Sequence, residues 1–199
     1  MASRDEVLKI VRDHKLVRPR DLEQQGIRPN VLWKLAKEGQ VERIGRGLYQ
    51  LPGTVLSEYV SLLEVVKAVP NSIICLLTAL RFHEIGTQEP PRVWIAIDRK
   101  ARKPKSRTVE MEIVRFSGVA RVKGVETHQV DGFSIRVTNP GRTVADCFKY
   151  RNKIGLDVAL EALRECLMDN KATIDQLWHF AGVCRVQNVM RPYLEALTS

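Results

Sequence analysis

Long apolar runs are missing from this sequence of 199 residues. The longest candidate, Ile73 to Leu77, is far below the roughly 18 consecutive apolar residues that a membrane-spanning helix needs. The first residues are charged, whereas a secretory signal would place an apolar segment there. We therefore expect a soluble, cytoplasmic protein without a membrane partner.

Residue patterns that support covalent or metal chemistry are also scarce. The cysteines form no C-x-x-C pair and lie among apolar neighbours, as buried thiols do in a reducing compartment: Cys75, Cys147, Cys166 and Cys184. The histidines lack metal-site spacing, and no serine sits in a G-x-S-x-G or S-x-x-K motif. The sequence therefore predicts no disulfide, metal ion, cofactor or catalytic nucleophile.

Acidic residues are outnumbered, with 23 Asp and Glu against 32 Lys and Arg and a net charge of +9. Clustered cations favour a polyanionic partner, because neutralising phosphates releases their counterions. The basic excess lies in two regions. Residues 1–54 carry eleven basic against seven acidic residues, and residues 99–123 carry nine against two.

Three short helices are predicted before residue 40. The first runs from Ser3, which opens an S-x-x-E capping box, to about His14. The second is expected between Pro19 and Gly26. The third, between Pro29 and Gly39, carries an apolar stripe.

A hairpin follows in the stretch V-E-R-I-G-R-G-L-Y-Q-L. Val41–Ile44 and Leu48–Leu51 read as its strands, and Gly45-Arg46-Gly47 as its tip. The tip does not continue as a nucleotide-binding G-x-G-x-x-G loop, because residue 50 is Gln. Three helices followed by a hairpin are the elements of a winged helix-turn-helix.

The apolar stripe of the third helix would leave polar side chains on the solvent side, within reach of base edges in a major groove. The hairpin arginines would contact the flanking backbone or the minor groove. The DNA-binding candidates are Arg28, Asn30, Lys34, Lys37, Arg43 and Arg46. The alternative interpretation is an ordinary solvated basic helix followed by a surface hairpin.

Leu51-Pro52-Gly53-Thr54 marks a boundary, so residues 1–54 and 55–199 are predicted to be separate domains. The second domain should be α+β. Its predicted helices are Ser57–Val69, Ile73–Ile85 and several within about 140–197, one with a leucine stripe at 156, 160, 163 and 167. Its predicted strands are Val93–Ile97, Val109–Val114, Gly124–Val130 and Phe133–Val137, in a small, mainly antiparallel sheet over about 92–137.

A block of cations follows the first of these strands, in a predicted exposed loop. It is a solubilising loop or a source of additional DNA or partner contacts: Arg99, Lys100, Arg102, Lys103, Lys105 and Arg107. Asp98-Arg99-Lys100 also has the D-x-K form of metal-dependent nucleases, for which Glu84, Glu110 or Glu112 could supply a second acid. We favour a polar turn over a nuclease.

Three segments together resemble the abortive-infection E antitoxin (AbiEi-like) family of bacterial transcriptional regulators linked to viral defence. They are V-E-R-I-G-R-G-L-Y, a stretch with T-A-L-x-x-H at Thr78–His83, and a stretch with T-x-P-x-R-T-V-A-D at Thr138–Asp146. The resemblance covers nearly the whole chain.

The resemblance implies an N-terminal winged helix that binds an inverted-repeat operator in double-stranded DNA and represses its own operon. It also implies a C-terminal antitoxin domain acting against a nucleotidyltransferase-like toxin, and no enzymatic activity. A stand-alone regulator without a toxin is the alternative. We expect a monomer or weak homodimer, or a dimer on DNA.

Overall fold

The structure is a computed structural model that describes residues 4–45, 47–54, 59–104 and 110–198. The chain forms two compact units. One comprises Met1–Glu64 with Gln129–Ser134, and the other comprises Val65–His128 with Ile135–Ser199. The secondary structure is α+β, as the sequence predicts. Among the helices of the described residues, none is long and apolar enough to cross a membrane.

The first unit has short elements. They are α1 (Arg4–His14), α2 (Pro19–Gln24), α3 (Asn30–Lys37), β1 (Glu42–Gly45) and β2 (Leu48–Gln50). Gly26 and Gly39 follow α2 and α3 with φ of +75° and +70°, a left-handed conformation that glycine adopts without a steric penalty. The predicted helix ends are thus confirmed there. The capping box at Ser3 lies outside the described residues.

Apolar side chains from all of these helices and from the hairpin form one small core. Strands β1 and β2 are antiparallel, with Arg43 opposite Tyr49. The backbones of Tyr49 and Val17 exchange two hydrogen bonds, of 2.9 and 3.0 Å, which tie the hairpin to the segment between α1 and α2. The core side chains include Val7, Val11, Val17, Leu22, Ile27, Leu32, Leu35, Val41 and Tyr49.

The remaining elements follow in chain order. They are α4 (Val60–Ala68), β3 (Ile73–Ile74), α5 (Leu76–Phe82), β4 (Val93–Asp98), β5 (Met111–Phe116), a 3₁₀ helix (Gly118–Arg121), β6 (Val125–Val130), β7 (Phe133–Thr138), α6 (Pro140–Lys149), α7 (Arg151–Ile154), α8 (Leu156–Met168), α9 (Ile174–Cys184) and α10 (Gln187–Thr198). Thr173 caps α9 by accepting the backbone N–H of Gln176 at 3.2 Å, as its position in the sequence suggests.

Strands β3 to β7 form a mixed sheet in the order β5-β4-β3-β7-β6. β3 is antiparallel to β4 but parallel to β7, and β4 is parallel to β5. The predicted mainly antiparallel sheet is therefore wrong in strand direction. It is also wrong in extent, because the sheet begins at Ile73 rather than near residue 92. Asp131-Gly132, a residue pair typical of type I′ turns, joins β6 and β7 with φ of +47° and +77°, the positive values that this turn requires.

The segment Ile73–Ile85, predicted as one helix, divides into β3 and α5. Cys75 between them is extended, with φ of −151° and ψ of 176°. Because both pieces are buried, their residues form a continuous apolar run in which no period distinguishes a strand from a helix. The buried face of α8 also differs from the predicted leucine stripe. Leu163 is fully buried, but Leu156 is 38% exposed, and alanines and a cysteine complete the buried face.

The second unit has a hydrophobic core of its own, and helix α6 is central to it. Residues Gly141–Phe148 of this helix are all buried. Two of them are charged. Arg142 and Asp146 are both 0% exposed and pair through Nε and Oδ2 at 3.0 Å. The Arg142 guanidinium also donates to the Lys123 carbonyl at 2.8 Å, and the Cys184 thiol donates to Asp146 at 3.2 Å. Burial raises the pKa of Asp146, and the guanidinium opposes that shift.

Candidate nucleic-acid interface

Helix α3 separates its residues cleanly between two faces. Leu32 and Leu35 are 0% and 1% exposed and belong to the core. Positions 30, 33, 34 and 37 share the opposite face, because residues three, four and seven apart coincide on a helix of 3.6 residues per turn. All side chains on that face are exposed: Asn30, Trp33, Lys34 and Lys37.

Trp33 is the residue that sequence reasoning missed. Its side chain is 57% exposed, the largest aromatic surface presented by the described residues. An indole of this size is normally mostly buried in a monomeric domain, so its exposure beside two lysines needs a reason. The sequence could have indicated this residue, because its spacing places it on the same face of the helix as Asn30 and the lysines.

Basic side chains flank α3. Arg28 is exposed immediately before the helix, and Arg43 is exposed on β1. The Arg43 Nε donates to the Gly45 carbonyl at 3.0 Å, which holds its guanidinium near the end of the strand. Arg46, at the predicted hairpin tip, lies outside the described residues.

The basic block after β4 is exposed where it is described, at Arg99, Lys100, Arg102 and Lys103. Lys105 and Arg107 lie outside the described residues. One guanidinium is hydrogen-bonded to the backbone where this block begins. Arg115 on β5 donates from Nη1 to the carbonyls of Asp98, Arg99 and Ala101, at 3.1, 2.7 and 2.9 Å.

Three of the four carboxylates considered for a nuclease are held by other groups. Asp98 accepts the Lys100 backbone N–H at 2.8 Å and pairs with Arg121 at 3.0 Å, and these contacts lower its pKa, the backbone bond most. Glu110 and Glu112 both pair with Arg92, at 2.7 and 2.8 Å. Within the described residues, no group of three or more His, Cys, Asp or Glu side chains could hold a metal ion.

The two motifs of the second unit connect its elements. The Thr78 hydroxyl accepts the Trp94 backbone N–H at 2.8 Å, which joins α5 to β4. The His83 ring nitrogen Nε2 lies 2.7 Å from the Thr138 carbonyl, and burial lowers the pKa of His83. Asn139 caps α6 by accepting the Arg142 N–H at 2.9 Å. These side chains are positioned for structural roles.

The first unit is thus a small helical module with a hairpin, whose third helix exposes a basic and aromatic face. Residues 5–52 match the family model described as "Transcriptional regulator, AbiEi antitoxin". We therefore assign this segment to a family of transcriptional regulators and antitoxins, which confirms the resemblance over residues 5–52.

Among solved structures, the chain is similar to the crystal structure of the RV2827C protein from Mycobacterium tuberculosis. The identity is 14% and the TM-score is 0.57, over 88% of this chain and 70% of that one. At this identity the likeness shows a shared fold. No curated protein matches the chain at a significant level.

Proposed function

We propose that this chain is a DNA-binding transcriptional repressor and antitoxin of a viral-defence system. Residues 1–54 would form a winged helix-turn-helix that reads an inverted-repeat operator and represses the chain's own operon. Residues 55–199 would form the domain that counteracts a nucleotidyltransferase toxin. The observation that carries the DNA-binding part is the single exposed face of α3, formed by Asn30, Trp33, Lys34 and Lys37.

That face has the chemistry of a major-groove reader. An asparagine can bond an adenine edge through its amide oxygen, which accepts, and its amide nitrogen, which donates, and lysines can bond guanine or phosphate. Helix α3 has eight residues, and an α-helix with its side chains is about 10–12 Å across, which fits a major groove about 12 Å wide. Arg28, Arg43 and Arg46 would contact phosphates or the minor groove beside the helix and fix its register.

A regulator without a toxin is the second candidate. It is favoured by the extent of the family match, which ends at residue 52 and leaves the second unit unmatched. The gene directly downstream discriminates between the two candidates. A nucleotidyltransferase gene there, whose toxicity this chain suppresses on co-expression, would support the antitoxin assignment. If co-expression of this chain did not suppress the toxicity, the regulator without a toxin would be supported instead.

The DNA-binding proposal is tested with the double variant Lys34→Ala/Lys37→Ala and a duplex containing the chain's own promoter. Removing two phosphate-contacting cations should weaken binding by about tenfold or more at physiological salt. It should also reduce the slope of log K against log salt by about two. Fluorescence anisotropy across a salt series measures both quantities.

Lys153→Ala/Arg164→Ala is the matched control, because it removes two exposed cations from the second unit. We expect this control to bind the promoter with nearly wild-type affinity and slope. If both double variants lost affinity equally, the lysines of α3 would contribute only through the net positive charge of the protein and not through specific contacts. An unchanged affinity in the α3 variant would contradict the assigned interface.

Trp33→Ala should reduce promoter affinity without destabilising the fold. The indole is more than half exposed, so its removal leaves no cavity, whereas a DNA-contacting aromatic at the centre of an interface carries a large share of the binding energy. We expect a loss of about 1–2 kcal/mol, or about five- to 30-fold in Kd. Anisotropy and thermal melting of the same sample separate affinity from stability. Trp33→Phe should retain part of the affinity if the aromatic ring makes the contact.

A further inference from the structure

A cleft of about 690 Å³ opens in the second unit, beside the base of the basic block. Every ionisable side chain in its lining, apart from one cysteine thiol, is a cation. These cations come from β4's C-terminal end, β5, α6, α7 and the end of α9: Arg99, Arg115, Lys149, Arg151 and Arg185. Among the residues that the structure describes, no carboxylate lines the cleft.

Neighbouring acids neutralise little of the positive charge of the cleft, although Lys149 is close enough to the buried Asp146 to oppose the rise in its pKa. Asp98, adjacent in sequence, pairs with Arg121, and the carboxylate behind the Cys184 thiol, Asp146, is buried with Arg142. Among the described residues, none of the five lining cations forms a salt bridge. Unpaired guanidinium and ammonium groups converging on a concave site attract anions strongly, because the cleft walls reduce solvent screening.

Two of these arginines are fixed by carbonyl groups rather than by acids. Arg115 donates to three backbone carbonyls, and Arg151 donates to the Phe148 carbonyl at 2.9 Å. Hydrogen bonds to carbonyl oxygens hold a guanidinium in place without cancelling its charge. Such preorganisation lowers the conformational entropy lost when a ligand binds.

The cleft also has an apolar wall, provided by Val119, Val183, Val186 and Val189 together with the buried Ala120. Val119 is 64% exposed. A ligand that carried only phosphate would leave this wall in contact with water. The wall therefore favours a ligand with an anionic part and a flat apolar part.

We propose that this cleft binds a nucleoside triphosphate, with the phosphates among the cations and the base against the valines. Its volume lies within the range of about 300–1,000 Å³ that is usual for small-molecule sites. Arginine planes add a second surface on which a base can stack. This site would make the regulator responsive to a nucleotide, which goes beyond the proposed DNA binding.

The test uses the full-length chain and the double variant Arg99→Gln/Arg185→Gly. Both side chains are exposed, and Arg185 is in the left-handed region with φ of +60°, where glycine is favoured. The variant should therefore fold, which thermal melting verifies. Isothermal titration of ATP at physiological salt should show saturable 1:1 binding to the wild type. Affinity should fall about tenfold or more in the variant, because about 1.4 kcal/mol corresponds to tenfold.

Lys153→Gln/Arg164→Gln removes two cations from outside the cleft and should bind ATP as the wild type does. The proposal is overturned if ATP does not bind the wild type at millimolar concentration, or if both double variants weaken ATP equally. It is also overturned if inorganic tripolyphosphate binds as tightly as ATP, since the valine wall then contributes nothing. A cleft variant that lost duplex DNA affinity but not ATP affinity would assign these cations to DNA. The Lys34→Ala/Lys37→Ala variant should bind ATP normally, so failure of the DNA proposal is distinguishable.

Discussion

Asp146→Ala is expected to lower the free energy of unfolding by about 3–5 kcal/mol, because it leaves the fully buried Arg142 guanidinium without its counter-charge. The guanidinium Nη2 already lacks a hydrogen-bond partner among the described residues. The Cys184 thiol would lose its acceptor as well. Since domains are stable by only about 5–15 kcal/mol, the second unit should be largely unfolded at modest temperature. Urea denaturation followed by circular dichroism measures the change.

Two comparisons isolate the buried charge as the cause. Asp175→Ala removes an exposed carboxylate from the first turn of α9 and should cost no more than about 1 kcal/mol. Arg142→Met/Asp146→Leu removes both charges and should be less destabilised than Asp146→Ala, because no unpaired ion remains. If the single variant lost less than about 1 kcal/mol, the pair would not be needed to stabilise α6.

Leu32→Ala is expected to lower the free energy of unfolding of the first unit by about 2–5 kcal/mol. Leu32 is 0% exposed, and its side chain packs within a core built from short helices and a hairpin. A core of this size has few other contacts with which to compensate for a cavity. Promoter binding should fall together with stability. Hydrogen exchange of the α3 amides reports the loss in this unit directly.

Leu32 and Trp33 are adjacent in sequence but lie on opposite faces of α3. Leu32→Ala should speed hydrogen exchange and weaken DNA binding, whereas Trp33→Ala should weaken DNA binding alone. Adding a stabilising osmolyte should restore binding only to the Leu32 variant, since only its defect is in folding. The same response in both variants would contradict the assignment of the two faces.

The helices and the hairpin of residues 4–50 were predictable from sequence because their signals are local. Pro19 at the start of α2 and the left-handed Gly26 and Gly39 act within a few residues of themselves. The apolar stripe of α3 likewise lies within two helical turns. Each residue of this segment therefore indicates its own conformation, and the fold follows from the order of the elements.

The second unit was predicted less well because its strand arrangement depends on distant residues. β3 has only two residues, and its partners Ala96 and Val137 are remote in the chain. The parallel pairing of β4 with β5 was not foreseen either, because the sheet was predicted to be mainly antiparallel. The apolar run from Ile73 then fitted a helix as well as a strand.

The two candidate sites also differ in how far each could be predicted from the sequence. The exposed face of α3 is one helix, and its spacing could be read directly from the sequence. The cationic cleft is assembled from residues between Arg99 and Arg185, on separate elements. Only the fold brings these side chains together, so no spacing in the sequence marked them, apart from Arg99 in the basic block.

The composition of the first unit has a consequence for synthesis on the ribosome. The unit includes Gln129–Ser134, although the rest of it ends at Glu64. The turn at Asp131-Gly132 is therefore translated well after the helices of its unit. At about 5–20 residues per second, the 64 intervening residues, 65–128, take on the order of 3–13 s. The nascent N-terminal helices must therefore wait several seconds before the last piece of their unit exists.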